Sequence, residues 1–363
     1  MSTEDQAKPA EAPKPKPEEK KDHGVLYIGV DLGTSRTSIS ASNGVRETLL
    51  SVVGYPKDVV SQKLLKKDVL IGQEAVDKRM SLHFYRPLEH GVLKTSENGA
   101  DDAEGNRRAA TDLLKAAIAA SQPRTDELVY AVIGAPAQAS IHNKKAILEA
   151  ASECVDSVML CSEPFAVAYG LDWLEDVLVI DIGAGTTDLC RMHGTMPEDT
   201  DQVTLTYAGD FIDRELFNAI KDAHPEAQFT INMIKNIKEK FAYVHGQSED
   251  ILVELPVDGK PIEFDLTQIV IECCKKIIPP IVDGLHKLIA SYDPEFQHKL
   301  RNRVLLAGGG SQIRGLDRAI EEEMKDRLGG GRVVRIEEPI YGGSNGALKI
   351  AHDMPAEFWE KLK

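Results

Sequence analysis

The chain has 363 residues, 42% apolar and 28% charged, a balance that suits a folded globular protein and excludes collagen-like, fibrous or wholly disordered chains. With 58 acidic against 43 basic residues the formal charge is −15, which argues against coating nucleic acid by counterion release. Apolar runs such as Val177 to Ile180 and Ala116 to Ala120 fall far below the roughly 20 residues of a membrane span. No basic-then-apolar leader opens the sequence, and the five cysteines show neither CxxC spacing nor a paired framework, so a reducing cytoplasm is expected. The ten histidines form no HExxH pair and no Cys/His cluster. Any metal is therefore expected to arrive with a substrate.

Residues 1–23 set Pro9, Pro13, Pro15 and Pro17 among Lys, Glu and Ala, which predicts a disordered tail serving as spacer or docking arm and no membrane helix. From Val25, VLYIGVDLG followed by TSISAS reads as strand, tight turn, strand. A helix is expected over Asp112 to Ser121, ending before Pro123. The strand VYAVIGAP then precedes a helix over Ser140 to Ser152. Val177 to Arg191, VLVIDIGAGTTDLCR, is a second hairpin. Ile269 to Ser291 is helical by period, and Pro279 and Pro280 should kink or split it. Val304 to Leu316, VLLAGGGSQIRGL, reads as a strand ending in three glycines before a helix. Alternating strands and helices make the fold class α/β.

DLGTSRTSI (Asp31 to Ile39) and DIGAGTTDL (Asp181 to Leu189) match position by position at an offset of 150 residues. A unit used twice at domain-sized spacing implies two related halves, each with its own sheet, instead of a short-period solenoid. Each turn sets an aspartate at a strand end and follows it with glycine and small hydroxyl residues. Gly33, Gly183 and Gly185 admit close backbone approach, and the N–H groups of Thr34, Ser35, Ala184, Gly185 and Thr186 can form anion-binding nests. A carboxylate about 5 Å from a phosphate charge is opposed by roughly 3 kcal/mol at an effective dielectric near 20. A Mg²⁺ ion gripped through its waters by Asp31 and Asp181 removes that conflict. The other reading is two ordinary hairpins whose aspartates cap their turns. No GxxxxGK[ST] string exists, and GAGTTD leads into a strand where a dinucleotide turn should open a helix, so P-loop and Rossmann readings fail. The glycines Gly308, Gly309 and Gly310 can pack on a flat base or approach a phosphate; alone they are a weak signal.

At these three glycine sites the sequence resembles the actin, Hsp70 and sugar-kinase superfamily of ATPases. IGVDLGTSRTSI is similar to its first phosphate motif, VIDIGAGTTDL to its second and LLAGGGSQIRGL to its adenosine motif, in the same order and spacing. The resemblance implies a duplicated, ribonuclease-H-like actin fold with two domains flanking a cleft for ATP or ADP with Mg²⁺. Domain I is expected over 24–170 plus 336–363 with an insertion near 54–92, and domain II over 171–335 with an insertion near 209–265. It implies phosphate contacts from Gly33, Thr34, Ser35, Arg36, Gly183, Ala184, Gly185, Thr186 and Thr187. Gly308, Gly309, Gly310 and Ile313 are implied at adenosine. NIKEKFAYV (Asn236 to Val244) is similar to the actin segment that meets ribose and base, which carries Lys238 and Glu239 over as adenosine ligands. SEPFAVAYGL is similar to the segment whose glutamate faces the γ-phosphate, so Glu163 is implied to orient the attacking water, with Asp31 and Asp181 beside it.

Within the superfamily a Hsp70 would need a further substrate domain, and no sugar pocket is found. A filament-forming bacterial actin fits. SVVGYPKDVV, SEPF and PEDTDQVTLTYAG resemble the magnetosome-aligning bacterial actins. That implies a self-assembling cytoplasmic filament alongside magnetosome membranes, with magnetosome-associated adaptor proteins as partners and neither nucleic acid nor membrane insertion. Cell-shape or plasmid-segregating actins, a small-molecule kinase, and a nucleotide-gated binding module without filaments are the alternatives.

Overall fold

The two hairpins read from the sequence each seed a five-stranded sheet. The computed structural model describes residues 24–95, 101–246 and 250–362, so the expected tail lies outside the described residues. In the first half β1 (Val25–Leu32), β2 (Arg36–Ala41) and β3 (Arg46–Leu50) form an antiparallel meander. A separate three-stranded sheet follows, built from β4 (Val53–Pro56), β5 (Leu70–Ile71) and β6 (Leu82–Tyr85) with helices α1 (Val59–Leu65) and α2 (Gln73–Asp77). The short pair β7 (Leu88–Glu89) and β8 (Val92–Leu93) leads to α3 (Ala103–Ala120). Parallel strands β9 (Leu128–Ala135) and β10 (Ser157–Ser162), joined by α4 (Ile141–Ser152), complete the first large sheet.

Helix α5 (Glu163–Gly170) crosses to the second half, where β11 (Glu175–Ile182), β12 (Thr187–His193) and β13 (Gln202–Leu205) repeat the meander. Helices α6 (Gly209–Ala223) and α7 (Ile231–Phe241) and the hairpin of β14 (Leu252–Val257) and β15 (Lys260–Asp265) come next. Then follow α8 (Thr267–Lys275), α9 (Ile278–Ala290), α10 (Pro294–Arg301), β16 (Val304–Ala307), α11 (Leu316–Leu328) and β17 (Val333–Arg335). The chain ends with α12 (Gly342–Asp353) and α13 (Ala356–Lys361).

The sheet orders β3-β2-β1-β9-β10 and β13-β12-β11-β16-β17 are the same, three antiparallel strands and then two parallel ones. Register repeats as well: Asp31 pairs with Ser38 as Asp181 pairs with Asp188. Both turns close alike, Gly33 N donating to Arg36 O at 3.1 Å and Gly183 N to Thr186 O at 2.9 Å. One supersecondary unit used twice accounts for this identity.

Each half has its own apolar core, one around Ile28, Leu113 and Ile133 and the other around Ile180, Leu216 and Leu285. A third cluster, with Val132, Val167, Val179 and Ala347, joins both sheets through α5 and α12. Glycine lets α12 sit this close: a Cβ on Gly29 would lie 2.1 Å from Ser344 O, and one on Gly346 would lie 1.7 Å from Ala166 O. The helix expected over Asp112 to Ser121 starts earlier, at Ala103, because Asp102 accepts from Gly105 N and caps it there. Ser140 caps α4 by accepting from Asn143 N. The helix expected over Ile269 to Ser291 is split, with Pro279 and Pro280 in the first turn of α9, where a missing N–H costs least.

Candidate functional site

Both repeated turns open into one cleft of about 350 Å³ between the halves. The turns touch each other: a Cβ on Gly185 would stand 2.5 Å from Thr34 Oγ1 and 2.8 Å from His90 Cα. Thr34 Oγ1 accepts from Gly91 N at 2.8 Å, and His90 Nδ1 lies 3.1 Å from Gly185 O. Small residues at these positions are therefore a steric requirement of two loops meeting.

Carboxylates form the floor. Asp31 and Asp181 stand one residue before the ends of their central strands, and Glu163 opens α5 where β10 stops. Behind them Asp188 is fully buried. Its Oδ1 accepts from Ala137 N at 3.0 Å and from Thr204 Oγ1 at 2.5 Å, while its Oδ2 has no hydrogen-bond partner among the described residues. Burial pushes Asp31 up from 3.8 to about 6. Burial, then Asp31, Asp188 and Asp181, hold Glu163 well above the ordinary carboxylate range. Asp181 is raised in the same way by burial, Asp31 and Asp188. Asp188 is raised by burial against the opposing pull of its hydrogen bonds. Buried carboxylates that repel one another favour a bound cation. No three His, Cys, Asp or Glu side chains of the described residues converge as a metal-ligand set; a cation beside Asp31 and Asp181 would need water and ligand oxygens to complete its shell. That donor set fits Mg²⁺, which keeps several waters.

The wall beside Asp181 is glycine and helix. Gly308 has φ +76°, and a Cβ there would lie 2.3 Å from Asp181 Oδ1 and 2.4 Å from Ile182 O. At Gly309 a Cβ would meet nothing within 4 Å, so that backbone faces open cleft. Helix α7 contributes Lys235, Lys238 and Glu239. Lys238 is committed to α6: its Nζ donates to Gly209 O at 2.7 Å and pairs with Asp213 Oδ1 at 2.7 Å. Glu239 Oε2 accepts from Arg36 Nη2 at 3.0 Å, across the cleft.

Of the residues singled out in the sequence, Asp31, Gly33, Thr34, Ser35, Arg36, Glu163 and Asp181 line the cleft. So do Gly183, Ala184, Gly185, Thr186, Lys238, Glu239, Gly308, Gly309, Gly310 and Ile313. Thr187 stands apart. It is fully buried, and its Oγ1 donates to Tyr207 O at 2.8 Å, because strand alternation turns it away from the cleft that Thr186 faces. Sequence reasoning passed over Lys235, Asp210 and Asp188. Asp188 had a signal in the repeat, since it occupies the position of Ser38; Lys235 had only its place one turn before Lys238.

Comparison with known proteins gives consistent likenesses. The family profile described as MreB/Mbl protein matches residues 26–353. The chain is 41% identical over 337 residues to the actin-like protein MamK of Paramagnetospirillum magneticum, covering 93% of this chain and 95% of that one. A solved MamK double helical filament has a TM-score of 0.87 at 39% identity, covering 92% of this chain and all of that one. A non-polymerising MamK mutant bound to AMPPNP has a TM-score of 0.69 at 39% identity, covering 91% of this chain and all of that one.

Proposed function

This chain belongs to the MreB/Mbl family of actin-like proteins and has the actin-like fold, and from that premise we propose that it is an ATP-hydrolysing, self-assembling filament that positions magnetosomes. The observation that carries the reading is the convergence of two duplicated acidic turns on one cleft. The segments 24–170 plus 336–363 and 171–335 act as the two domains that close on Mg-ATP. Support for the filament comes from the MamK filament structure and for the nucleotide from the AMPPNP-bound mutant. Among the described residues no helix is long and apolar enough to cross a membrane. The proposed filament lies in the cytoplasm and is tied to magnetosome membranes through adaptor proteins.

The chain's own groups divide the work. Backbone amides and hydroxyls at Thr34, Ser35, Ala184, Gly185 and Thr186 hold the phosphates, beside Gly33 and Gly183, whose own amides close the turns, and Gly308, Gly309, Gly310 and Ile313 receive adenosine with Glu239. Lys238, held by Asp213, shapes that wall and reaches nucleotide only if the pair opens. Asp31 and Asp181 would hold a hydrated Mg²⁺ through its waters, and the ion would supply positive charge to offset the triphosphate's. Glu163 accepts a hydrogen bond from the attacking water, and the raised pKa makes it the better proton acceptor once ionised. Linkage between assembly and hydrolysis follows if free and assembled subunits bind nucleotide differently. Sedimentation tests the reading: a pellet that requires Mg-ATP is expected, and protein that stays in the supernatant with and without nucleotide contradicts it. Imaging of the tagged chain along magnetosome rows tests the cellular role.

A further inference from the structure

At the mouth of the cleft two cations from opposite halves share one carboxylate. Lys235 projects from α7 and its Nζ donates to Ser35 Oγ in the first turn. Its side chain is only 16% exposed, yet the one carboxylate oxygen of the described residues within ion-pair reach is Glu239 Oε1, 4.0 Å away. The other oxygen of Glu239 is engaged by Arg36. Arg86 and Lys238 add repulsion on Lys235 and Asp210 adds attraction, while burial pushes its pKa down. An ammonium withdrawn from water with so distant a counter-ion is expensive to keep charged. The arrangement is completed by an anion beside Ser35.

Position identifies that anion. Lys235 lies one helical turn before Lys238 and Glu239, next to the turn that carries Thr34 and Ser35 and away from the acidic floor where Glu163 stands. Resting on the nucleotide reading above, we propose that Lys235 and Arg36 form a cross-cleft cation pair that binds the inner phosphates of a nucleoside di- or triphosphate, with Glu239 bridging the pair until those phosphates replace it. Arg36 and Glu239 are both about 40% exposed, 43% and 40%, and an exposed pair of that kind is weak and screened by salt. Phosphate entry then exchanges one weak contact for two charge-assisted ones. Glu239 is released toward the sugar, and the two halves are drawn together through a ligand that both hold.

The test is calorimetry of Mg-ADP binding at several salt concentrations, on the full chain and on Lys235→Met and Lys235→Arg. Loss of a charged hydrogen bond predicts roughly 10-fold weaker binding or more for Lys235→Met, with a flatter salt dependence, and recovery of most of both in Lys235→Arg. Unchanged affinity in Lys235→Met overturns the proposal, as does a loss that Lys235→Arg fails to restore. Unsubstituted protein that binds no ADP overturns the nucleotide reading itself and this proposal with it.

Discussion

Replacing Asp31 by Asn should make the ligand-free protein more stable. Asp31 has its pKa raised from 3.8 to about 6 by burial, so the folded chain holds this proton more tightly than the unfolded chain does. Stability from the protonated carboxyl is full below pH 4 and is lost as pH climbs through 6. A difference of about two pKa units corresponds to about 3 kcal/mol at pH 7.5. Integrating the same shift leaves a cost of about 1 kcal/mol at pH 4.5. Part of the carboxylate meets water in the cleft, so these are upper figures. Asp31→Asn removes the ionisation at nearly constant shape, so its advantage should be about 3 kcal/mol at pH 7.5, or roughly 5 °C in Tm, and shrink to about a third of that at pH 4.5. Urea denaturation followed by circular dichroism, in metal-free buffer at both pH values, measures this. A variant no more stable than the parent at pH 7.5, or one with an equal gain at both pH values, would refute the idea that Asp31 is an unneutralised charge.

Other residues give sharper tests of individual roles. Glu163→Gln should slow phosphate release by about 10²- to 10⁴-fold while ATP binding and sedimentation persist; unchanged release removes Glu163 from the chemistry. Gly308→Ala forces a side chain into Asp181 and Ile182 at a positive φ and should destabilise the fold by about 3 kcal/mol or more. Gly309→Ala meets open space, so stability should stay within about 0.5 kcal/mol while adenine nucleotide binds more weakly. Equal unfolding midpoints for the two variants would contradict that contrast. Gly185→Ala presses on Thr34 and His90 and should wedge the turns apart, seen as lost nucleotide binding by fluorescence titration; normal binding would mean that the turns need not touch.

The twin turns were legible because both depend on local chemistry: an apolar strand, an aspartate and a glycine in fixed order. Their identical register, Asp31 with Ser38 and Asp181 with Asp188, follows from that order. What lay hidden depends on partners distant in the chain. Lys238 reads as a ligand within NIKEKFAYV, but Asp213, on α6, claims its ammonium. Arg36 and Glu239 meet across a sequence separation of 203 residues, which no local pattern announces. Thr187 is the same residue type as Thr186 but opens β12 and turns inward to Tyr207, whereas Thr186 belongs to the turn that lines the cleft. The start of α3 was missed because Asp102, not the apolar period, sets it.

The most direct measurement is a crystal structure of this chain with Mg²⁺ and a nonhydrolysable ATP analogue. The account predicts the triphosphate between the Gly33–Ser35 and Gly183–Thr186 turns, the metal joined to Asp31 and Asp181 through water, and adenine against Gly309. An analogue seated elsewhere, with both aspartates facing only solvent, would contradict it.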